Sequence, residues 1–239
     1  MTVTSRLLDY TLDGKQFQGY LAMDDAVAGP RPALLVAPTW AGRSEFEESK
    51  ARSLAQAGYV ALALDMYGNG VRGSGPEENA ALMTPLLADR ADLQARINAG
   101  FAAAAALPEV DASRIAAIGY CFGGLCVLDL ARSGADVRGV VSLHGLFTPA
   151  DNLPAPSISS KVLCLHGYDD PMAPPDSVLA LASELTAAGA DWQIHAYGNT
   201  LHAFTNPAAD DPAGGTVYSP IADRRSWQAV ENFLDEVLA

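Results

Sequence analysis

The sequence predicts an α/β fold, with a mostly parallel sheet flanked by helices and an antiparallel hairpin at the N-terminus. Three observations lead there. Apolar runs alternate with amphipathic segments along the 239 residues. The runs are continuous rather than polar at every second position, as expected of strands buried on both faces. They recur as strand–helix units, which place successive parallel strands in one sheet by right-handed crossovers. A chain of this length and class is expected to fold as a single domain over residues 1–239.

Element by element, Leu7–Leu12 and Gln16–Met23 form the hairpin, joined around Asp13-Gly14. Ala33–Pro38 reads as a buried strand, and Phe46–Ala57 as a helix closed by Gly58. Tyr59–Asp65 is the next strand, followed by a Gly-rich loop from Gly68 to Pro76. Two helical stretches cover Glu77–Leu87 and Ala88–Ala106. Arg114–Gly119 is a short strand running straight into a helix over Gly123–Arg132. Val137–Leu143 is strand, Pro149–Ser160 a Pro/Ser-rich loop and Lys161–His166 strand. A helix over Ser177–Ala188, a strand over Trp192–Tyr197 and an amphipathic helix over Ile221–Leu238 complete the chain.

Composition excludes several classes of function. With 15 basic and 28 acidic side chains the net charge is −13. A nucleic-acid partner needs a basic footprint to displace counterions, and the same balance disfavours an anionic membrane surface. At 49% hydrophobic residues the chain is not a disordered one. No apolar run reaches the ~18 residues of a membrane span. The N-terminal segment lacks a charged-then-apolar signal pattern, so a cytoplasmic location is expected. Three cysteines, Cys121, Cys126 and Cys164, cannot all pair, and free thiols are expected.

In such sheets chemistry lies beyond the carboxyl ends of the strands. One of those junctions reads Gly119-Tyr120-Cys121-Phe122-Gly123-Gly124. It is a nucleophile elbow with cysteine in the usual serine position. A strand turning sharply into a helix forces the central residue into a strained conformation, and small residues two before and two after let the backbones pass. Cys121 then stands at a helix N-terminus, where a thiolate is favoured. Acidic residues Asp169 and Asp170 follow a later strand, and His202 follows the last one. That is the chain order nucleophile, acid, histidine found with this elbow. Cys126 and Cys164 are expected as buried packing. The four histidines (His144, His166, His195 and His202) have no close metal-ligand spacing, so no metal site is expected. His195, inside a strand pattern, reads as structural, and His166 as a support for Asp170.

On these residues the chain resembles the dienelactone hydrolase family, the cysteine-nucleophile branch of the α/β-hydrolases. The elbow, the segment Gly167-Tyr168-Asp169-Asp170, the segment His202-Ala203-Phe204 and the segment Leu64-Asp65-Met66-Tyr67-Gly68 are similar to family motifs. The resemblance implies a cofactor-free hydrolase with a Cys121–His202–Asp170 triad, in which the second of the two aspartates is the acid. It departs at two places. The family's namesakes carry a glutamate that touches the resting cysteine where this chain has Thr39, and an arginine that binds an anionic substrate where this chain has the acidic stretch Pro76–Ala80. Arg43, Arg72 and Arg90 are candidate replacements.

The oxyanion donors expected are the backbone N–H groups of Phe122 and Trp40. Thr39, Tyr67, Met83, His144 and Phe204 are candidate pocket residues, and residues 68–87 a candidate lid. The substrate expected is a small neutral ester or lactone, with aryl phosphotriesters as a side reaction. A true dienelactone hydrolase is the alternative. A non-catalytic binding or sensor module is the alternative of another class, and a complete triad argues against it. An exposed apolar edge would support a homodimer.

Overall fold

The computed structural model describes residues 2–150 and 157–239, so the Pro/Ser-rich loop expected at Pro149–Ser160 lies partly outside the described residues. The chain runs β1 (Val3–Leu12), β2 (Lys15–Asp24), β3 (Arg31–Ala37), α1 (Glu45–Gln56), β4 (Val60–Ala63), α2 (Pro76–Ala88), α3 (Arg90–Ala105) and β5 (Val110–Tyr120). It continues with α4 (Phe122–Arg132), β6 (Gly139–Leu143), β7 (Lys161–Gly167), α5 (Pro175–Ala187) and β8 (Trp192–Tyr197). Two short strands, β9 (Asp210–Asp211) and β10 (Thr216–Val217), precede α6 (Pro220–Val237). The large sheet has eight strands in the order β1-β2-β4-β3-β5-β6-β7-β8. β1, β2 and β4 pair antiparallel, and the six strands β3 to β8 are mutually parallel. This is the α/β fold expected, hairpin included.

The continuous apolar strands are explained by two cores, one on each face of the sheet. In β3, Ala33, Leu35 and Ala37 point to the core shared with α3, α4 and α5, while Leu34 and Val36 point to the core shared with α1 and α6. β5 divides in the same way, Ile115 and Ala117 against Ala116, Ile118 and Tyr120. Over Ala33–Ala37 and Ile115–Gly119 neither face meets water, so no position there is polar. Helix starts follow from their caps. Ser44 and Glu47 form a capping box on α1, and Asp89 and Ser219 cap α3 and α6.

Register positions the site. Ala37 pairs with Gly119, and Tyr120 with Leu143. The strands β3, β5 and β6 therefore end together, and the segments that follow them leave from one edge. Gly167 of β7 pairs with Tyr197 of β8, so the loops after these strands leave side by side from that edge as well. No helix among the described residues is long and apolar enough to cross a membrane.

Candidate active site

Cys121 joins β5 to α4 with φ +57° and ψ −117°, a left-handed conformation unusual for a side-chain-bearing residue. Its N–H donates to Leu143 O (3.1 Å), which ties the turn to β6. The turn closes only because Gly119 and Gly123 lack side chains. A Cβ on Gly119 would lie 2.0 Å from Gly123 O, and one on Gly123 2.2 Å from Ala37 O. Cys126 and Cys164 are fully buried, and burial raises the pKa of both thiols.

His202 Nδ1 lies 2.7 Å from Asp170 Oδ2, both side chains being buried. Nε2 makes no hydrogen bond among the described residues, and the Cys121 sulfur is near enough to act on the ring. Burial by itself would lower the imidazole pKa. The hydrogen bond to Asp170 and the neighbouring Cys121 outweigh it and push the value up to about 10. Of the two aspartates, Asp170 meets the histidine and Asp169 does not. Asp169 is exposed and fastens its loop to the next one, its N–H donating to Thr200 O (3.0 Å) and its Oδ2 accepting from Thr200 N–H (3.2 Å). The second carboxylate oxygen of Asp170 accepts from Met172 N–H at 2.8 Å. His166, expected to support Asp170, makes no hydrogen bond to it.

The segment carrying His202 is held by structure that the sequence did not reveal. His202 bridges to Thr216 at the start of β10, with its N–H on Gly215 O (3.0 Å) and its C=O accepting from Val217 N–H (3.1 Å). Strands of two residues have no hydrophobic period to detect.

These groups open onto a cleft of about 470 Å³. Thr39, Met83 and His144 line it, as does Trp40. Tyr67 and Phe204 do not, which corrects the expected pocket. Phe204 is fully buried, wedged between His144 and Tyr197 (centroids 5.2 and 5.6 Å). Tyr67 is buried behind the wall, its hydroxyl donating to Trp40 O (2.8 Å) and its ring stacked on Phe122 (6.1 Å). Phe46, Leu146, Met172, Ala203 and Ala209 complete the apolar lining, and Asn206, before β9, and Thr216 of β10 add polar groups.

His144 is buried and has a positive φ of 38°. Its Nε2 is 2.8 Å from Thr205 Oγ1, and its ring packs edge to face on His202 (5.1 Å). Burial, reinforced by the charge on His202, pushes its pKa well down, so it faces the cleft as a neutral ring.

Among the described residues no lysine or arginine lines the cleft. Arg43 pairs with Glu48, Arg90 is buried on Asp129, and Arg72 is exposed elsewhere. The candidate lid comprises the loop before α2 and most of that helix, which contributes Met83 to the wall. A carboxylate does stand near Thr39, but it is Glu47 of α1, fully buried and turned to the backbone. Its Oε1 accepts from Thr39 N–H (3.0 Å) and its Oε2 from Ser44 N–H (2.8 Å).

The sheet order, the elbow and the cleft at the carboxyl edge define an α/β-hydrolase. The dienelactone hydrolase family model matches residues 17–238, and the chain belongs to that family. The solved structure named m3DLH is 39% identical and superposes with a TM-score of 0.94 over 99% of both chains. A dienelactone hydrolase-like promiscuous phosphotriesterase from metagenomic libraries is 36% identical, with a TM-score of 0.92 over 99% of both chains. An uncharacterized protein of Caenorhabditis elegans is 35% identical over 150 residues, 62% of this chain and 95% of that protein.

Proposed function

We propose that this hydrolase cleaves neutral, activated carboxylic esters and lactones through a covalent intermediate on Cys121, and aryl phosphotriesters as a side reaction. The observation that carries the reading is the buried His202–Asp170 pair beside Cys121, on an apolar cleft with no lysine or arginine among the described residues of its wall. His202 holds the thiol proton as an imidazolium, paired with the Cys121 thiolate, and the sulfur attacks the carbonyl carbon to form an S–C bond. The N–H groups of Phe122 and Trp40 receive the oxyanion; neither has an acceptor among the described residues. Collapse breaks the C–O bond, and His202 gives its proton to the departing oxygen. Water, deprotonated by His202, then attacks the thioester, the C–S bond breaks and the acid leaves. Asp170 holds the imidazole in the tautomer that presents Nε2 to these protons.

Charge decides the substrate class. The His202 charge is already matched by Asp170, so a carboxylate entering the apolar cleft would lose its hydration with no lysine or arginine to replace it, which is costly. An uncharged ester or phosphotriester does not incur that cost, and a phosphotriester carries no negative charge to repel a thiolate. The 36% identical promiscuous phosphotriesterase supports the phosphorus arm. The dienelactone alternative, with its anionic substrate, is the weaker reading for the same reason.

The test is a panel of p-nitrophenyl butyrate, a neutral lactone and an aryl phosphotriester against wild type and Cys121→Ala. All three hydrolyses should fall by about 10³-fold or more in the variant. The phosphotriester should also give a stoichiometric burst in single-turnover kinetics. Butyrate hydrolysis that survives iodoacetamide would falsify the cysteine mechanism, and absence of a burst would remove the phosphorus arm.

A further inference from the structure

The Asp65-Met66-Tyr67-Gly68 segment has no part in the steps above, yet it is among the most heavily hydrogen-bonded in the chain. The Asp65 carboxylate is buried and accepts four backbone N–H groups: Tyr67 (2.9 Å), Gly68 (2.8 Å), Gly70 (2.8 Å) and Gln18 (3.0 Å). It thereby fixes the backbone of Tyr67. The Tyr67 side chain spans two places at once, with its hydroxyl on Trp40 O at 2.8 Å and its ring stacked on Phe122 at 12° between planes.

In the loop after β3, consecutive peptide units are each held from a different direction. Thr39 N–H donates to Glu47 of α1. Thr39 C=O accepts from Gly42 N–H (3.0 Å), closing a turn with Gly42 at φ +87°. Trp40 C=O accepts from Tyr67. Beyond it, Ala41 C=O accepts from Gly73 N–H (3.0 Å). A trans peptide points its N–H opposite to its C=O. With Thr39 C=O committed to Gly42, the Trp40 N–H is turned the other way, and it has no acceptor among the described residues. The Tyr67 hydroxyl holds the next peptide, Trp40–Ala41, and so anchors the far side of the Trp40 Cα on which the Thr39–Trp40 unit turns. Burial raises the Tyr67 pKa, which keeps the phenol protonated and a donor.

We infer that Tyr67 is a positioning residue of the hydrolysis: its hydroxyl anchors the Trp40 carbonyl, which limits rotation about Trp40 and so the swing of its N–H, and its ring fixes Phe122, so that the two N–H groups converge on one oxyanion. The inference rests on the assignment of Trp40 and Phe122 as the oxyanion donors. Preorganised donors accelerate a reaction because they need no reorientation as charge develops. The hydroxyl should therefore act on the chemical step rather than on substrate binding.

The variant is Tyr67→Phe, which keeps the stacked ring and removes only the hydroxyl. Two reactions of the same thiol separate the roles. Hydrolysis of p-nitrophenyl butyrate passes through an oxyanion. Alkylation of Cys121 by iodoacetamide is a displacement at saturated carbon and forms none. The expected result is a fall of about tenfold in kcat, with KM and the alkylation rate within about twofold of wild type. The inference is overturned if kcat stays within twofold of wild type, or if kcat and alkylation fall together, because the latter would mean a general disturbance of the elbow. Butyrate hydrolysis by Cys121→Ala in the same assay would locate the failure in the underlying mechanism and not in Tyr67.

Discussion

At the scale of single residues, the balance of charge around His202 decides the chemistry. Burial disfavours the imidazolium, and only the Asp170 carboxylate and the neighbouring Cys121 reverse that, to a value of about 10. The ring should therefore titrate with a midpoint near 10 by NMR, and a midpoint below 7 would contradict the assignment. The stability linkage has a definite sign. The folded-state value lies above the ordinary 6.5, so this proton's contribution is complete below about pH 6.5 and is lost as pH rises through about 10. Asp170→Asn keeps the shape but removes the charge and the tautomer control. It should lower kcat by about 10³–10⁴-fold with little change in KM, which steady-state kinetics would measure. Asp169→Asn should cost far less, since its carboxylate serves only a loop-to-loop hydrogen bond.

At the scale of elements, two junctions carry the site. The first is the elbow between β5 and α4, where what a new Cβ would strike is backbone and cannot move aside. Gly123→Ala should destabilise by about 3 kcal/mol or more and abolish ester hydrolysis. Gly198→Ala, which meets nothing within 4 Å, is the matched control and should be close to neutral in urea unfolding. The second junction is a buried ionic cluster joining three helices. Arg90 of α3 makes two bonds to Asp129 of α4 (2.7 and 2.5 Å), and Arg132 reaches Asp129 (3.1 Å) and Glu184 of α5 (2.6 and 2.8 Å). Arg90 also holds the carbonyls of Thr148 and Pro149, beyond the cleft residues His144 and Leu146. Asp129→Ala would leave two buried guanidinium groups without their shared partner. The expected loss is about 3–5 kcal/mol by urea denaturation, and a loss under 1 kcal/mol would mean that water replaces the carboxylate.

At the scale of the whole molecule, the net charge of −13 and a cleft without lysine or arginine among the described residues act in the same direction. An anionic substrate meets a repulsive field on approach and on arrival finds only His202, whose charge Asp170 already matches. A neutral aryl ester should exceed its carboxylate-bearing analogue in kcat/KM by at least about tenfold at low salt. The ratio should narrow toward 0.5 M salt as the long-range part is screened, and a preference for the anion would refute this account. The same scale separates what was legible in the chain from what was not. The strands were legible because burial on both faces removes polar positions, as in β3 and β5. β8 misled at His195, which is exposed because β8 is an edge strand, and being at an edge is a property of the sheet rather than of the segment. Tyr67 and Phe204 were read as pocket lining from residue type, but which side of a wall an aromatic ring faces depends on what packs behind it. By itself the sequence determined the strand–helix order, the elbow at Cys121 and the succession of cysteine, acid and histidine, because these follow from local sterics and chain order. Only the tertiary structure decided that Arg43, Arg72 and Arg90 stay out of the cleft, that Glu47 faces backbone, and that Tyr67 holds the Trp40 peptide. Those outcomes are set by contacts between segments far apart in the chain, where register and burial select the partner.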